Sequence, residues 1–388
     1  MMLRTYKYRL YPTTPQEKRM VQVLAVCRHW HNMCLEERKL AWELEGRNVS
    51  KSEQQAKGKR YRQTFPQAKV VFSQTLQSVV DNLDKAFQSF FRRIKAGEKA
   101  GYPRFKGRNR FNSFSFKQFG VGARLDGNHR LRLFEIGRVR VRWHRAIPDN
   151  GTIKTCRIKH EAGQWYVTFA VELPDNVELP KAGNVIGLDM GISALITTSK
   201  GEKVDNPNYY RAGQKKLRVL SRALARKKKG GKNRRKALKQ VQRQHMHVSK
   251  QRSDYLHKLS TELVRTCDGI ALEDLATRNL VRNHHLSQSI LDSGWNMFKQ
   301  YLLYKAGSAG REVRLVHPAS TSRCCSNDGH PFENFSLSTR WVRCGACGLS
   351  LDRDHNAAIN ILKKAGWDAP VQLNVGGCAV RAVEATPL

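Results

Sequence analysis

Val185-Ile186-Gly187-Leu188-Asp189-Met190 is a short apolar run interrupted by a single acid. A run of that length reads as a buried strand, with Asp189 near its end. Leu195-Ile196-Thr197-Thr198 follows closely and reads as its hairpin partner. A long basic helix pair is expected over roughly 209–266, broken at Gly230-Gly231. Leu217, Leu220 and Leu224 form the apolar stripe of its first member, and Leu256, Leu259 and Leu263 that of its second. Gly269 to Leu275 is another apolar strand with acids at its end. Trp295, Phe298 and Leu302 predict a helix, Val313 to Val316 a strand, and Ala357, Ile361 and Leu362 a last helix. Strands and helices in this order predict an α/β unit. Pro174 to Gly183 reads as the linker before it, and the glycine-punctuated residues after Gly366 as a loose tail.

Upstream of that linker the period changes twice. Tyr6, Tyr8 and Leu10 share one face of a first strand, and Lys7 and Arg9 the other. Thr14-Pro15-Gln16-Glu17 reads as a capping box with proline at the first helical position. Met20, Leu24 and Cys27 follow at helical spacing. A second helix runs through Leu76, Val80, Leu83, Phe87, Phe90 and Ile94, so residues 14–95 read as helical. The basic stretch Lys95 to Arg110 ends that region. Over residues 111–175 the period is two. Val139, Val141 and Trp143 alternate with Arg138, Arg140, Arg142 and His144, and Trp165, Val167, Phe169 and Val171 mark another strand. These strands, with the first one, predict an antiparallel β-module. A face carrying Arg138, Arg140 and Arg142 suits phosphate contact, with a merely solvated face as the alternative.

Composition bounds the partners. Seventy Lys and Arg against 32 Asp and Glu give a net charge of +38 over 388 residues. A compact chain repels itself at that charge, which points to a polyanion on its surface. No long amphipathic apolar stripe accompanies the charge, which argues against a membrane surface. No apolar run approaches the roughly 20 residues that span a bilayer, and the opening residues lack a signal peptide's apolar core. A cytoplasmic protein associated with nucleic acid is the expectation.

Three acids stand out. Asp189 sits inside an apolar strand, where a carboxylate costs several kcal/mol unless paired, protonated or metal-bound. A strand-end acid capping the turn at Gly191 is the plain alternative. Glu273 repeats the anomaly after Ile270-Ala271-Leu272. Asp354 begins a helix, where capping is the ordinary explanation. Three acids at the edges of separate elements in one α/β unit can hold two Mg²⁺ ions about 3.5–4 Å apart and hydrolyse a phosphodiester without a serine or cysteine nucleophile.

The nine cysteines do not form a disulfide pattern. Cys27, Cys34, Cys156, Cys267 and Cys378 are scattered and read as core or surface thiols. Cys344-Gly345-Ala346-Cys347 has the spacing of a zinc knuckle, with Cys325 and Asp328 at matching spacing upstream. Asp328 stands where a thiolate is expected. A zinc site of Cys325, Asp328, Cys344 and Cys347 is one reading, with Cys324 or His330 as substitute ligands. A degenerate ribbon without metal is the other. Bound zinc would be structural, since four protein ligands leave no catalytic position.

Several motifs together resemble TnpB proteins, transposon-encoded RNA-guided DNA nucleases related to compact type V CRISPR effectors. They are Gly187-Leu188-Asp189-Met190-Gly191-Ile192, Leu272-Glu273-Asp274-Leu275, Thr321-Ser322-Arg323, and Leu351-Asp352-Arg353-Asp354-His355-Asn356-Ala357-Ala358-Ile359-Asn360-Ile361. Tyr8-Arg9-Leu10-Tyr11-Pro12, Tyr102-Pro103-Arg104-Phe105, Gly294-Trp295 and Tyr304-Lys305 fall where that family has similar residues. The match covers nearly the whole chain in order.

The resemblance implies an α/β multidomain chain. Residues 1–13 and 111–180 would be a β-barrel-like wedge domain, and 14–110 a helical recognition lobe. Residues 184–319 and 352–388 would form a RuvC-like, ribonuclease-H-like nuclease. Residues 320–351 would be a zinc-ribbon-like insert that binds the target nucleic acid. The resemblance makes Asp189, Glu273 and Asp354 the catalytic, Mg²⁺-holding triad and disfavours Asp274 and Asp352. It implies a guide RNA from the transposon end, one protein per RNA, and a double-stranded DNA target beside a short motif read by the protein. By position, Gln74, Gln77, Lys117 and Gln118 would read that motif. One departure from the family pattern is Asp328 for cysteine. Two rival functions remain at this level: an RNA-guided repressor that does not cut, and a transposase performing strand transfer with the same acids.

Overall fold

Tyr6, Tyr8 and Leu10 are buried on one face of strand β1 (Met2–Tyr11), while Lys7 and Arg9 lie on the other. The computed structural model describes residues 2–367, except 109, 128, 175–177, 334 and 337. It divides into two units, Met1–Asp175 and Asn176–Leu388. The expected tail from residue 368, and residues 175–177 near the start of the expected linker, lie outside the described residues.

In the first unit, β1 stands inside a seven-stranded sheet. Its other strands are β2 (Ser113–Phe116), β3 (Ala123–Asp126), β4 (Arg130–Leu133), β5 (Gly137–Arg142), β6 (Thr152–Glu161) and β7 (Gln164–Leu173). The order is β2-β6-β7-β1-β5-β4-β3, with every neighbour antiparallel. Alternation explains the pattern: Val139 and Val141 of β5 are buried and Arg138, Arg140 and Arg142 are exposed. Helices α1 (Thr14–Glu45), α2 (Lys51–Thr64) and α3 (Ser73–Lys95) share one hydrophobic core with the sheet, in which Met20, Cys27, Leu76 and Leu83 meet Tyr8, Leu10 and Phe169.

The capping box of α1 is one residue earlier than expected. Thr13 caps, its hydroxyl accepting from the Gln16 backbone while the Gln16 side chain accepts from the Thr13 N–H. Pro15 occupies the first turn, where a missing N–H costs nothing. Helix α2 buries only Gln54 and Tyr61. Gln54 holds it in place, donating to the Cys34 carbonyl and Glu37 and accepting from Arg38.

In the second unit, strands β8 (Val185–Asp189), β9 (Ala194–Thr198), β10 (Lys203–Asp205), β11 (Gly269–Glu273) and β12 (Glu312–Val316) form one sheet in the order β10-β9-β8-β11-β12. Strand β9 is antiparallel to both its neighbours, β10 and β8, and β8, β11 and β12 run parallel. The short β10 carries no apolar run and goes beyond the sequence reading. The basic pair is α4 (Tyr209–Ala225) and α5 (Lys232–Thr266), with the expected break between. Leu217, Leu256 and Leu263 are buried as expected. Helices α6 (Thr277–Leu280), α7 (His284–Ser293) and α8 (Trp295–Ala309) follow β11. Gly294, at φ 70°, lies in the left-handed region between α7 and α8. Lys305 joins α8 to α5, donating to the hydroxyls of Ser260 and Thr261, each at 2.7 Å. A hairpin of β13 (Trp341–Arg343) and β14 (Ser350–Asp352) leads into α9 (Arg353–Lys364). Among the described residues, no helix is long and apolar enough to cross a membrane.

Candidate active site

Strands β8 and β11 run side by side with Leu188 opposite Leu272, so the next residues, Asp189 and Glu273, emerge together at the carboxyl end of the sheet. Helix α9 packs on β8. Gly187 permits that approach, because a Cβ there would stand 2.2 Å from the Ala358 carbonyl oxygen. The contact delivers Asp354, in the first turn of α9, to the same region. The capping role belongs to Asp352, whose carboxylate accepts from the backbone N–H groups of Asp354 and His355. Asp354 is therefore not needed as a cap, yet it is 8% exposed.

The electrostatics place Asp189 within reach of the other two acids. Burial pushes the Asp189 carboxyl up to about 8, helped by the charges of Glu273 and Asp354 and opposed by Arg353. Burial also raises Glu273, which is 7% exposed; the Thr321 hydroxyl opposes that rise, donating to Glu273 Oε1 at 2.5 Å. Arg353 donates to Asp354 at 3.0 Å. The neighbours differ. Asp274 is exposed and paired with Lys299, and Asp352 is occupied by its cap and by Lys203. Carboxylates are hard oxygen donors of the kind that hold Mg²⁺, and Asp189 is the one whose charge is least compensated.

The cysteines form a second centre. Ligand atoms of Cys325, Asp328, Cys344 and Cys347 all lie within 4.8 Å of one another. Among the described residues this is the one group of three or more His, Cys, Asp or Glu so tightly drawn together. The Cys325 and Cys347 sulfurs are 3.6 Å apart, and Cys344 Sγ lies 3.3 Å from Asp328 Oδ2. Sulfurs on a tetrahedral zinc are separated by about 3.8 Å, given Zn–S bonds of about 2.3 Å, so the donor set fits. The substitute ligands lie outside the group. The Cys324 carbonyl accepts from Asn356, and the His330 N–H donates to Asp328. That N–H is the first of several groups that hold the Asp328 carboxyl well below its ordinary range. Burial pushes the Cys325 thiol up to about 12, a state a metal would reverse.

In the first unit the structure joins Gln74 to Gln118, the amide of the former donating to the latter at 2.7 Å. Lys117 pairs with Asp81, which also accepts from Gln55 at 2.7 Å. Gln77 lines a cavity of about 610 Å³ together with Gln55, Lys59, Arg62, Gln63 and Lys69. Arg138 is paired with Asp126, and Arg140 lies over the Tyr11 ring. Their face is broader than β5 alone. Arg132 stands opposite Arg138, Arg130 opposite Arg140, Arg124 opposite Arg132, and Arg9 opposite Arg142. Cross-strand register, invisible in one strand's sequence, assembles this seven-arginine face.

Three family descriptions match the chain: "Probable transposase" over residues 168–284, "Cas12f1-like, TNB domain" over 295–361, and "Helix-turn-helix domain" over 1–47. Residues 1–47 here form a strand and one unbroken helix rather than two helices around a turn. A "Putative RNA-guided DNA endonuclease" of Streptomyces pristinaespiralis is 34% identical over 365 residues, covering 92% of this chain and 88% of that protein. The Escherichia coli (strain K12) protein of the same description, InsQ, is 31% identical over 391 residues, covering 93% and 92%. Among solved structures, the mini-RNA-guided endonuclease CRISPR-Cas_phi3 aligns with a TM-score of 0.50 at 11% identity, covering 96% of this chain and 93% of that one. That likeness bears on the fold.

Proposed function

The chain belongs to the TnpB family of RNA-guided DNA endonucleases, and from that premise we propose that Asp189, Glu273 and Asp354 are its single reaction centre, cutting DNA selected by a guide RNA. The observation that carries the assignment is the convergence of three acids from β8, β11 and α9, with Asp189 held up to about 8. The sheet order, three antiparallel strands followed by two parallel ones, supports a ribonuclease-H-like, RuvC-type unit. The sheet of the first unit then corresponds to a wedge domain, its helices to a recognition lobe, and residues 320–351 to a zinc-ribbon-like insert.

Mg²⁺, when bound, supplies charge neutralisation and water activation for phosphodiester hydrolysis, in a two-metal arrangement. The three carboxylates would hold it as ionised oxygen donors. Arg353 keeps Asp354 oriented, and Thr321 fixes one oxygen of Glu273. Cys325, Asp328, Cys344 and Cys347 would hold a structural zinc. The arginine face, with Arg138, Arg140 and Arg142, would hold nucleic-acid phosphates, and Gln74, Gln77, Lys117 and Gln118 would read the short motif beside the target. Sequence choice would rest on base pairing with the guide.

The decisive assay offers the purified protein–RNA complex two plasmids, each matched to a different guide and both carrying the adjacent motif. Exchanging the guide segment moves the cut to the other plasmid, and omitting RNA or Mg²⁺ stops cutting. A cut site that stays put when the guide changes overturns the guided reading and leaves the acid triad standing. The matching description "Probable transposase" favours one rival, strand transfer by the same acids. Joined rather than free DNA ends would reveal it.

A further inference from the structure

Thr321 belongs to none of the groups that would hold a metal, yet it is 2% exposed and its hydroxyl lies 2.5 Å from Glu273 Oε1. A hydroxyl has one proton. Thr321 Oγ1 also lies 3.2 Å from the Pro318 carbonyl, which can only accept, so an ionised Glu273 and that carbonyl compete for the same hydrogen. When Glu273 is ionised, the stronger, charge-assisted bond goes to it. That bond fixes the orientation of the carboxylate while lone pairs on both oxygens stay open to a cation.

The segment that carries Thr321 is strapped to α9 by four side chains of that helix. Asn360 donates to the carbonyls of Thr321 and Cys324, at 2.8 and 2.7 Å. Asn356 donates to the Cys324 carbonyl and accepts from the Ser326 N–H, both at 2.8 Å. Lys363 reaches the Ser326 carbonyl, and Lys364 the Ala319 carbonyl. Helix α9 also carries Asp354, and the strap ends in Cys325 of the cysteine cluster. One short segment thus touches both centres.

We propose that Thr321 is a positioning residue. Held by the Asn356–Asn360 strap, its hydroxyl orients the Glu273 carboxylate for cation binding and couples the cysteine-bearing insert to the acid triad. This rests on the reading of Asp189, Glu273 and Asp354 as the cation-holding centre. Outer-shell partners of this kind fix the orientation of metal-binding carboxylates, and their loss weakens metal binding about 10- to 100-fold.

The test measures Mn²⁺ binding to the protein–guide RNA complex by electron paramagnetic resonance, with the Glu273→Ala complex as the background of RNA-bound ions. Thr321→Val, which keeps the shape and removes the hydroxyl, is expected to weaken Mn²⁺ binding by about 10-fold or more, and to raise the Mg²⁺ concentration for half-maximal cleavage in step. Thr321→Ser is expected to restore both. Asn360→Ser, which loosens the strap and leaves the hydroxyl in place, moves the affinity in the same direction. The proposal is overturned if Thr321→Val binds Mn²⁺ like the unaltered chain, if Thr321→Ser is as weak as Thr321→Val, or if Asn360→Ser has no effect. A Glu273→Ala complex that binds Mn²⁺ like the unaltered one overturns the triad reading instead.

Discussion

Asp189→Asn is expected to make the metal-free protein more stable at alkaline pH while abolishing cleavage. The native carboxyl ionises only near 8, whereas in the unfolded chain it ionises near 3.8. Between those values the unfolded state binds fewer protons than the native state, so stability falls as pH rises and levels off above about 8. Each pH step in that window is worth about 1.4 kcal/mol, and the whole window about 6 kcal/mol at most. Because the charges of Glu273 and Asp354 contribute to that rise alongside burial, and solvent screens part of it, about 2–3 kcal/mol is the working expectation. For a unit of this size that is about 5–10 °C in melting temperature. Calorimetry in Mg²⁺-free buffer should show the variant melting well above the unaltered chain at pH 9, and the gap closing toward pH 4. Mg²⁺ should raise the melting temperature of the unaltered chain and have little effect on the variant. Parallel pH profiles for the two proteins would refute the reasoning, since Asp189 would then carry no burial or like-charge penalty.

Alanine at Asp189, Glu273 or Asp354 is expected to abolish cleavage and leave RNA-dependent DNA binding nearly intact, read by nuclease assay and gel shift side by side. Substantial cutting by Glu273→Ala would shift the role to Asp274. Metal analysis of protein purified without chelator is expected to find about one zinc per chain, and Asp328→Cys to hold it at least as tightly because thiolate is the softer donor. Absence of zinc would favour a metal-free ribbon. The double variant Arg140→Ala, Arg142→Ala is expected to flatten the salt dependence of RNA binding, its log–log slope falling by about 1.5, since each lost phosphate contact contributes about 0.7–0.9. An unchanged slope would mean that this face is only solvated.

What could be read from the sequence divides along a physical line. Alternation and helical stripes are local, and they located β1, β5, β8, α3 and the break between α4 and α5. The same logic gave no boundaries where few residues are buried. Helix α2 is anchored through Gln54, and β10 is three residues long with no buried run. The capping box slipped by one residue because Thr13 and Thr14 are equally good caps on paper; only the geometry at Gln16 separates them. At the proposed site, the anomaly of an acid inside or at the end of an apolar strand is what singled out Asp189 and Glu273. Asp354 was the weakest of the three, singled out by its place in the same α/β unit, because a helix-initial aspartate has an ordinary explanation. That explanation turned out to belong to its neighbour Asp352. Thr321 was visible only as part of a quoted motif, since a hydroxyl's partner depends on a contact 48 residues away.

Net charge and site charge pull in opposite directions, and this explains the shape of the centre. A +38 chain draws nucleic acid toward it, but three carboxylates at the end of β8, β11 and α9 repel a phosphodiester. Distant lysines do little to help, because Debye screening leaves each side chain to its near neighbours. The near neighbours are sparse. Arg353 pairs with Asp354 and only partly offsets Asp189, Thr321 and the charge of Lys364 act on Glu273, and Asp189 still ionises only at about 8. The fold thus leaves one acid deliberately undercompensated beside two that are held in position. That imbalance would be a defect in a structural core. In the proposed centre, which would take up a divalent cation together with a phosphate, it would be the driving force, because the cation would relieve a penalty the folded chain already carries. Removing the penalty at its source, by Asp189→Asn, should therefore protect the metal-free fold and impair cleavage together. A variant that gained stability without losing Mg²⁺ dependence would break that link.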